Sequence, residues 1–332
     1  MDSVVLTLNS RIPKYKQIVN SIEFSITSGA LKKGDKLPSL NEIKEKYLLS
    51  RDTVMIAFKE LKRRGIINSV VGKGYYVASE NVTVLEKVFL LFDEMNSFKE
   101  DIYNSFLKNI PDNIKVDIFF HHFNYKVFKQ LILDNVGDYS YYIIMPANLK
   151  NTDKFISILP KEKVYIIDQV PKELAKYAAI YQNFHQDIFN GLTDGLSKIK
   201  KYKKLILLFS EEKQPKGILS GFLSFCKVNG FKNSVINSLE GITLKEEELY
   251  IVLDDKNLIR IIKKIRNQHL ILSKNIGVIS YNETILKEIV EKGITTISTD
   301  FNLMGETLAK AIINKKHVKI KNPSSLILRK SI

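Results

Sequence analysis

The sequence predicts a small α+β head, three helices and a β-hairpin, joined to a two-lobed α/β domain built on parallel sheets. Two observations carry that expectation. Residues 37–65 read as two capped helices around a tight turn, between a further amphipathic helix and β-branched runs that flank Gly72-Lys73-Gly74. From residue 87 onward, near-continuous apolar runs alternate with helix-length amphipathic stretches, as parallel strands covered on both faces require.

In the head, Pro13 opens a helix with Tyr15, Ile18, Val19, Ile22 and Ile26 on one face and Gly29 at its close. Ser39 and Glu42 form a capping box for a second helix with a Leu40, Ile43, Tyr47 stripe. Leu48 and Leu49 are expected to fill the corner. Ser50 caps a third helix whose inner face is Val54, Ala57, Phe58 and Leu61, ended by Gly65. Asp52, Ile56, Lys59 and Arg63 fall on its outer side, with Arg51 and Thr53 in the first turn. Alone, this stretch fits an ordinary αα-hairpin equally well. The preceding helix and the hairpin at IINSVVGKGYYV decide for a winged helix-turn-helix, whose last helix enters the major groove N-terminus first.

The composition sets bounds. A chain of 332 residues accommodates two or three domains, and 45% hydrophobic content places it among packed globular proteins. The formal charge is +15; residues 1–80 carry 14 basic and 8 acidic side chains against 37 and 28 in the rest. Charge per residue is thus about twice as high in the head, which suits phosphate contact there. A lone cysteine, Cys226, excludes an internal disulfide framework, suits a reducing cytoplasm and is expected to be a buried apolar residue. No signal peptide is expected from MDSVVLTLNSR, and no apolar run reaches membrane-span length, so a cytoplasmic protein with no membrane partner is expected.

Residues 79–86, SENVTVLE, read as a linker between a head at 1–78 and an α/β domain at 87–332. The expected strands are VFLLF at 88, VDIFF at 116, YYIIMP at 141, VYIID at 164, LILLFS at 205, YIVL at 250, IGVISY at 276, ITTIS at 294 and LILR at 326. Ligands in open α/β sheets bind outside the carboxyl ends of the strands. Those positions hold Asn96, Phe98, His121, Asp168, Gln169, Asp254, Asn282, and Asp300 with Phe301. Carboxylates and amides there can bond vicinal hydroxyls, and a phenylalanine face can cover the C–H side of a sugar ring. Each also has a plainer reading: an aspartate at a strand end caps the next helix, and Phe301 packs a hinge. His121 and His122 have no other His or Cys partner at metal-ligand spacing, so they read as solvated loop histidines and neither a metal nor a cofactor is expected.

Two resemblances sharpen this reading. P-x-Y-x-Q-I at 13–18, G-x-L-x-x-G-x-x-L-P-S at 29–39, S-R-x-T-V at 50–54, L-x-x-x-G at 61–65 and G-x-G-Y-x-V at 72–77 resemble the DNA-binding domain of the GntR regulator superfamily. The resemblance implies DNA contact by Ser39, Asn41, Ser50, Arg51, Asp52, Thr53 and Lys59, with Gly72 and Lys73 at the wing tip. Asn41 and Met55 stand where many relatives have arginine, so the resemblance implies either weaker non-specific DNA affinity than in relatives or compensation by Lys44, Lys59 and Arg63. IGVISYNETILKEIVEKGITTISTDFNLMGETLAKAII, together with DEMNSFKEDI, GFLSFCKVNGF and LILRKSI, resembles lactose-repressor-type sensor domains of the periplasmic-binding-protein-like fold. That implies a sugar or polyol effector held by the strand-end residues. Ile218 replaces an arginine frequent in such domains, so Lys216, Lys213 or Gln214 is expected to reach the cleft instead.

The function expected is a ligand-controlled transcriptional regulator, a homodimer on a pseudo-palindromic operator. Two alternatives are a DNA-anchored enzyme and a constitutive architectural DNA-binding protein. The first lacks a G-x-S-x-G elbow, Walker loop, G-x-G-x-x-G or H-E-x-x-H motif in the α/β segment. The second leaves a large domain without a role.

Overall fold

The computed structural model describes residues 4–7, 12–83 and 86–332. Parts of the N-terminal stretch read for a signal, and Val84 and Leu85 of the linker, lie outside the described residues. The head contains α1 (Lys14–Thr27), α2 (Leu40–Tyr47), α3 (Arg51–Arg63) and the antiparallel hairpin β1 (Ile67–Val70) and β2 (Gly74–Val77). Its helix starts follow the sequence chemistry. Ser39 Oγ accepts from the Glu42 N–H at 3.2 Å while the Glu42 carboxylate accepts from the Ser39 N–H at 2.6 Å. Ser50 Oγ caps α3 through the Thr53 N–H at 3.2 Å. Ile18, Ile22, Ile43, Val54, Phe58 and Leu61 close one core. Leu48 departs from expectation. It ends α2 at φ 51° with its side chain 93% exposed, because the left-handed cap turns it away from the corner that Leu49 occupies.

The α/β domain continues with β3 (Glu86–Phe92), α4 (Ser97–Asn109), β4 (Ile114–Phe120), α5 (Tyr125–Asp134), β5 (Tyr141–Ile144), α6 (Asp153–Ile156), β6 (Val164–Asp168) and β7 (Ala178–Tyr181). The chain then crosses to a second lobe: α7 (Phe184–Asp194), α8 (Leu196–Ile199), β8 (Lys204–Leu208), α9 (Lys216–Asn229), β9 (Lys232–Ile236), β10 (Glu248–Val252), α10 (Asp255–Asn267), β11 (Gly277–Tyr281), α11 (Ile285–Ile289) and β12 (Thr295–Thr299). It returns for α12 (Phe301–Ile313) and β13 (Lys319–Lys321), and crosses once more to β14 (Ser324–Ile327). The two six-stranded sheets run β13-β7-β6-β5-β3-β4 and β14-β12-β11-β10-β8-β9, parallel except at β12–β14.

Every expected apolar run is a strand. The sequence reading omitted β7, β9 and β13. The last two are sheet-edge strands with mostly exposed side chains, so they lack the apolar run that marks a buried strand.

Three crossings place a hinge between the lobes, and Asn322 ties them together. Its Nδ2 donates to Thr299 Oγ1 at 2.8 Å and to the Asp300 carbonyl at 2.7 Å, and its N–H donates to the Tyr181 carbonyl at 2.7 Å. The asparagine is 1% exposed. Two helix pairs depend on glycine at their contact. Gly305 lets α12 lie against α4, and Gly221 lets α9 lie against α7; a Cβ at either would stand 2.4 Å or 2.3 Å from a backbone carbonyl oxygen of the facing helix.

The head is bonded to the first lobe at the far end of α3. Lys62 pairs with Asp138 at 3.0 Å, and Arg63 Nη1 donates to Ser140 Oγ at 3.2 Å. Ser140 Oγ also accepts from the Lys87 N–H at 3.1 Å, at the start of β3. Arg63 therefore turns toward the α/β domain, which overturns its reading as an outward cation for DNA.

Candidate functional site

The N-terminal end of α3 is the free end. Ser39, Asn41, Ser50, Arg51, Asp52 and Lys59 are exposed and Thr53 is half-buried, its hydroxyl 2.8 Å from Ser50 Oγ. Gly72 and Gly74 take φ of 72° and 110°, in the left-handed region open to glycine, and so form the hairpin tip that exposes Lys73. Val71 beside them is 99% exposed. The sequence reading passed over it, although a β-branched residue at a two-glycine tip has nothing to pack on.

Between the lobes lies a cavity of about 550 Å³. Asn96, Phe98, Asp168, Gln169, Asp254 and Asn282 line it, all at or just beyond the carboxyl ends of strands. Asp254 is also the N-cap of α10: Oδ1 accepts from the Asn257 N–H and Oδ2 from Asn257 Nδ2, each at 2.8 Å. Capping and lining are thus compatible, because a strand-to-helix corner directs the cap residue toward the same opening. Asn282 takes φ 61° at the end of β11.

Four expected lining residues stand elsewhere. Asp300 caps α12, accepting from the Leu303 N–H at 2.8 Å, and falls outside the cavity. His121 is fully buried, with Nε2 3.0 Å from the Met145 carbonyl oxygen and its ring edge-on to Phe128. The α5 helix covers it, so it is neither a cleft residue nor a solvated histidine, and burial lowers its pKa. Phe301 is 5% exposed and stacks under Phe98 with ring centroids 4.9 Å apart. As the first residue of the helix that packs on α4, it supports Phe98, which lines the cavity in its place. Lys216 is the exposed first residue of α9 and falls outside the cavity, whereas Lys213 and Gln214 line it.

The structure adds Asp93, Lys99, Gln182, Tyr281 and Lys287 to the lining. Asp93 and Lys99 form a buried ion pair. Lys287 donates to the carbonyls of Tyr281 and Asn282 at 2.9 Å and 2.6 Å and pairs with Asp255 at 3.1 Å; burial lowers its pKa against the pull of that carboxylate. Gln182 donates to the Asp168 carboxylate. Asp93 could have been reached from the end of the VFLLF strand; Gln182 could not, because it follows the unrecognised β7. Among the described residues, no cluster of His, Cys, Asp and Glu is arranged to hold a metal ion.

Burial, with the Asp93 carboxylate nearby, raises the Asp168 carboxyl from 3.8 to about 6. The folded protein therefore holds this proton more tightly than the unfolded chain, and stability falls as pH rises from about 4 to about 6. Asp168→Asn should raise the melting temperature of ligand-free protein at pH 7.5 and have little effect near pH 4. The gain is at most about 3 kcal/mol. Melts at the two pH values check it; a difference independent of pH would remove Asp168 as the titrating group.

Residues 14–77 match the family described as bacterial regulatory proteins, gntR family. The chain is 38% identical over 93 residues to the HTH-type transcriptional repressor YtrA of Bacillus subtilis, covering 28% of this chain and 68% of that protein. It spans only 15%, 16% and 34% of three further relatives that it matches. The two-lobed part has its likeness in solved structures. A LacI family transcriptional regulator from Silicibacter pomeroyi superposes with a TM-score of 0.62 at 11% identity, over 74% of this chain and 98% of that one. A periplasmic binding protein/LacI transcriptional regulator from Alkaliphilus metalliredigens, complexed with D-xylulofuranose, does so at 0.59 and 14%, over 74% and 98%. At such identities the likeness shows the fold alone. Among the described residues, no helix is long and apolar enough to cross a membrane. The head motifs, the match over residues 14–77 and the coverage of YtrA together place this chain in the gntR family of bacterial regulatory proteins.

Proposed function

We propose that this protein is a cytoplasmic, non-enzymatic transcription factor that binds a pseudo-palindromic operator as a homodimer and changes its DNA affinity when a monosaccharide or related polyol enters the interlobe cleft. One observation carries the reading: the first lobe is bonded to α3 at one end and forms the cleft at the other. Strand β3 spans that distance, with Lys87 held by Ser140 beside Arg63 and with Asp93 following Phe92 into the cavity. A lobe rotation about the hinge would carry α3 with it. The sugar bound by the Alkaliphilus neighbour supports the ligand class. Ile285, Ile289 and Leu286 on α11, 79%, 73% and 43% exposed, support a second copy covering that face. In a two-fold dimer, lobe movement then alters the separation of two α3 helices and their fit to half-sites.

Coupling of this kind is typically about 5–150-fold and reciprocal. Fluorescence anisotropy with a selected genomic DNA fragment should show such a change on addition of one member of a panel of pentoses, hexoses and alditols. Asp138→Lys, which sets a like charge against Lys62, should keep both binding events and bring the coupling factor toward one. A wild-type protein whose DNA affinity and melting temperature ignore the whole panel would sink the proposal.

A further inference from the structure

The ionic groups around the cleft say which kind of small molecule it can accept. Five carboxylates line the cavity, those of Asp93, Glu94, Asp168, Asp254 and Asp255, against four ammonium groups and no arginine. Two of the four ammonium groups are already engaged. Lys99 is buried against Asp93, and Lys287 is held by Asp255 and two carbonyls. The other two, Lys213 and Lys256, are exposed, where a single charge pair contributes little. Position 218, on the wall contributed by α9, is an isoleucine only 3% exposed.

Helix N-termini are the other usual seat for an anionic group; of those that open on this cavity, α4 and α10 are occupied from within, whereas α9, which starts after Pro215, and the short α11 have no side-chain cap. Asn96 Oδ1 accepts from the Lys99 N–H at the start of α4, and Asp254 Oδ1 accepts from the Asn257 N–H at the start of α10. The second cap is itself a carboxylate, so an incoming anion would meet like charge there. The unmet capacity of the side chains is of another kind. Gln182 Oε1, Tyr281 OH, Asn282 Oδ1 and Thr284 Oγ1 are buried without a partner, and all four residues line the cavity. Two are amide carbonyl oxygens, which require donors, and two are hydroxyls, which serve either way.

We infer that the effector is an uncharged polyhydroxy compound recognised before it is phosphorylated, and that the cleft rejects its phosphate ester. The inference rests on the sensor reading above and narrows its ligand class. Ligand hydroxyls satisfy the Gln182 and Asn282 carbonyls, whereas a phosphate dianion finds no free buried cation and faces a surplus of carboxylates. The protein then reports a sugar or alditol upstream of the phosphoryl-transfer step that consumes it, and a kinase acting on the effector removes the signal.

The test is calorimetric titration of the full-length protein with each aldose, ketose and alditol of the panel beside its terminal phosphate ester. The neutral member of the responding pair should bind at least about 100-fold tighter, since like-charge juxtaposition in a desolvated site costs several kcal/mol. Glu94→Lys, at the half-exposed edge of the cavity, should narrow that ratio about tenfold by improving phosphate binding. A phosphate ester that binds as well as or better than its parent overturns the inference and leaves the sensor reading standing. Failure of every neutral and phosphorylated compound to bind overturns both.

Discussion

Gly305→Ala should destabilise the protein by about 2 kcal/mol or more, although it replaces glycine in a helix. Helix propensity alone favours alanine by about 1 kcal/mol. Packing opposes it more strongly. A Cβ at position 305 would lie 2.4 Å from the Ile102 carbonyl oxygen and 2.9 Å from the Phe106 nitrogen. Both are backbone atoms of α4, so no side chain can rotate away and the helices must separate. Overpacking of this kind costs about 1–3 kcal/mol and more where the backbone cannot yield. The pair that moves apart includes Asn96 at the N-cap of α4 and Phe301 at the start of α12, so cleft geometry should suffer with stability. A melting temperature lower by about 4–8 °C is expected for a domain of this size. Gly221→Ala should do the same in the second lobe, where the facing atom is the His185 carbonyl oxygen at 2.3 Å. Unchanged or raised melting temperatures would mean that these helices are not in close contact in solution.

Arg51→Ala should weaken operator binding by about 1–3 kcal/mol, about fivefold to 150-fold, with the fold intact. Arg51 is exposed in the first turn of α3, and the opposite end of that helix is held by Asp138 and Ser140. The free end is therefore the one that can enter a major groove. Ser50 and Thr53 are engaged in capping that end, which leaves the guanidinium as the long, bidentate donor available for a base edge. Lys73→Ala at the wing tip should behave differently, weakening all sequences alike and flattening the salt dependence. Anisotropy titrations on operator and unrelated DNA at several salt concentrations separate the two. If Arg51→Ala binds operator like wild type at every salt concentration, α3 is not the reading helix.

Local chemistry made the head legible. Helix starts at Ser39 and Ser50, the stop at Gly65 and the hairpin tip at Gly72 and Gly74 each depend on residues within a few positions of one another. Buried parallel strands announced themselves for a related reason: both faces are covered, so VFLLF and LILLF carry no polar alternation. Strand ends then brought Asp168, Asp254 and Asn282 to the cavity by topology.

What the chain does a long way from its own neighbours was decided only in three dimensions. Arg63 sits on the outer side of α3 by periodicity, yet its partner Ser140 is 77 residues away. Phe301 and His121 stand at strand ends like the cleft residues, but α4 covers one and α5 the other, and only packing distinguishes a residue facing a cavity from one beneath it. Gln182 follows the short strand AAIY and Asn322 follows the exposed edge strand KIK, and their roles come from three chain crossings that meet at one hinge. By itself the sequence determined the winged head, the buried strands and the ends at which a ligand could sit. Which side chains face that cavity, and which end of α3 is left free, depended on contacts between residues far apart in the chain, because a side chain's direction at a helix or strand end is set by what packs against it.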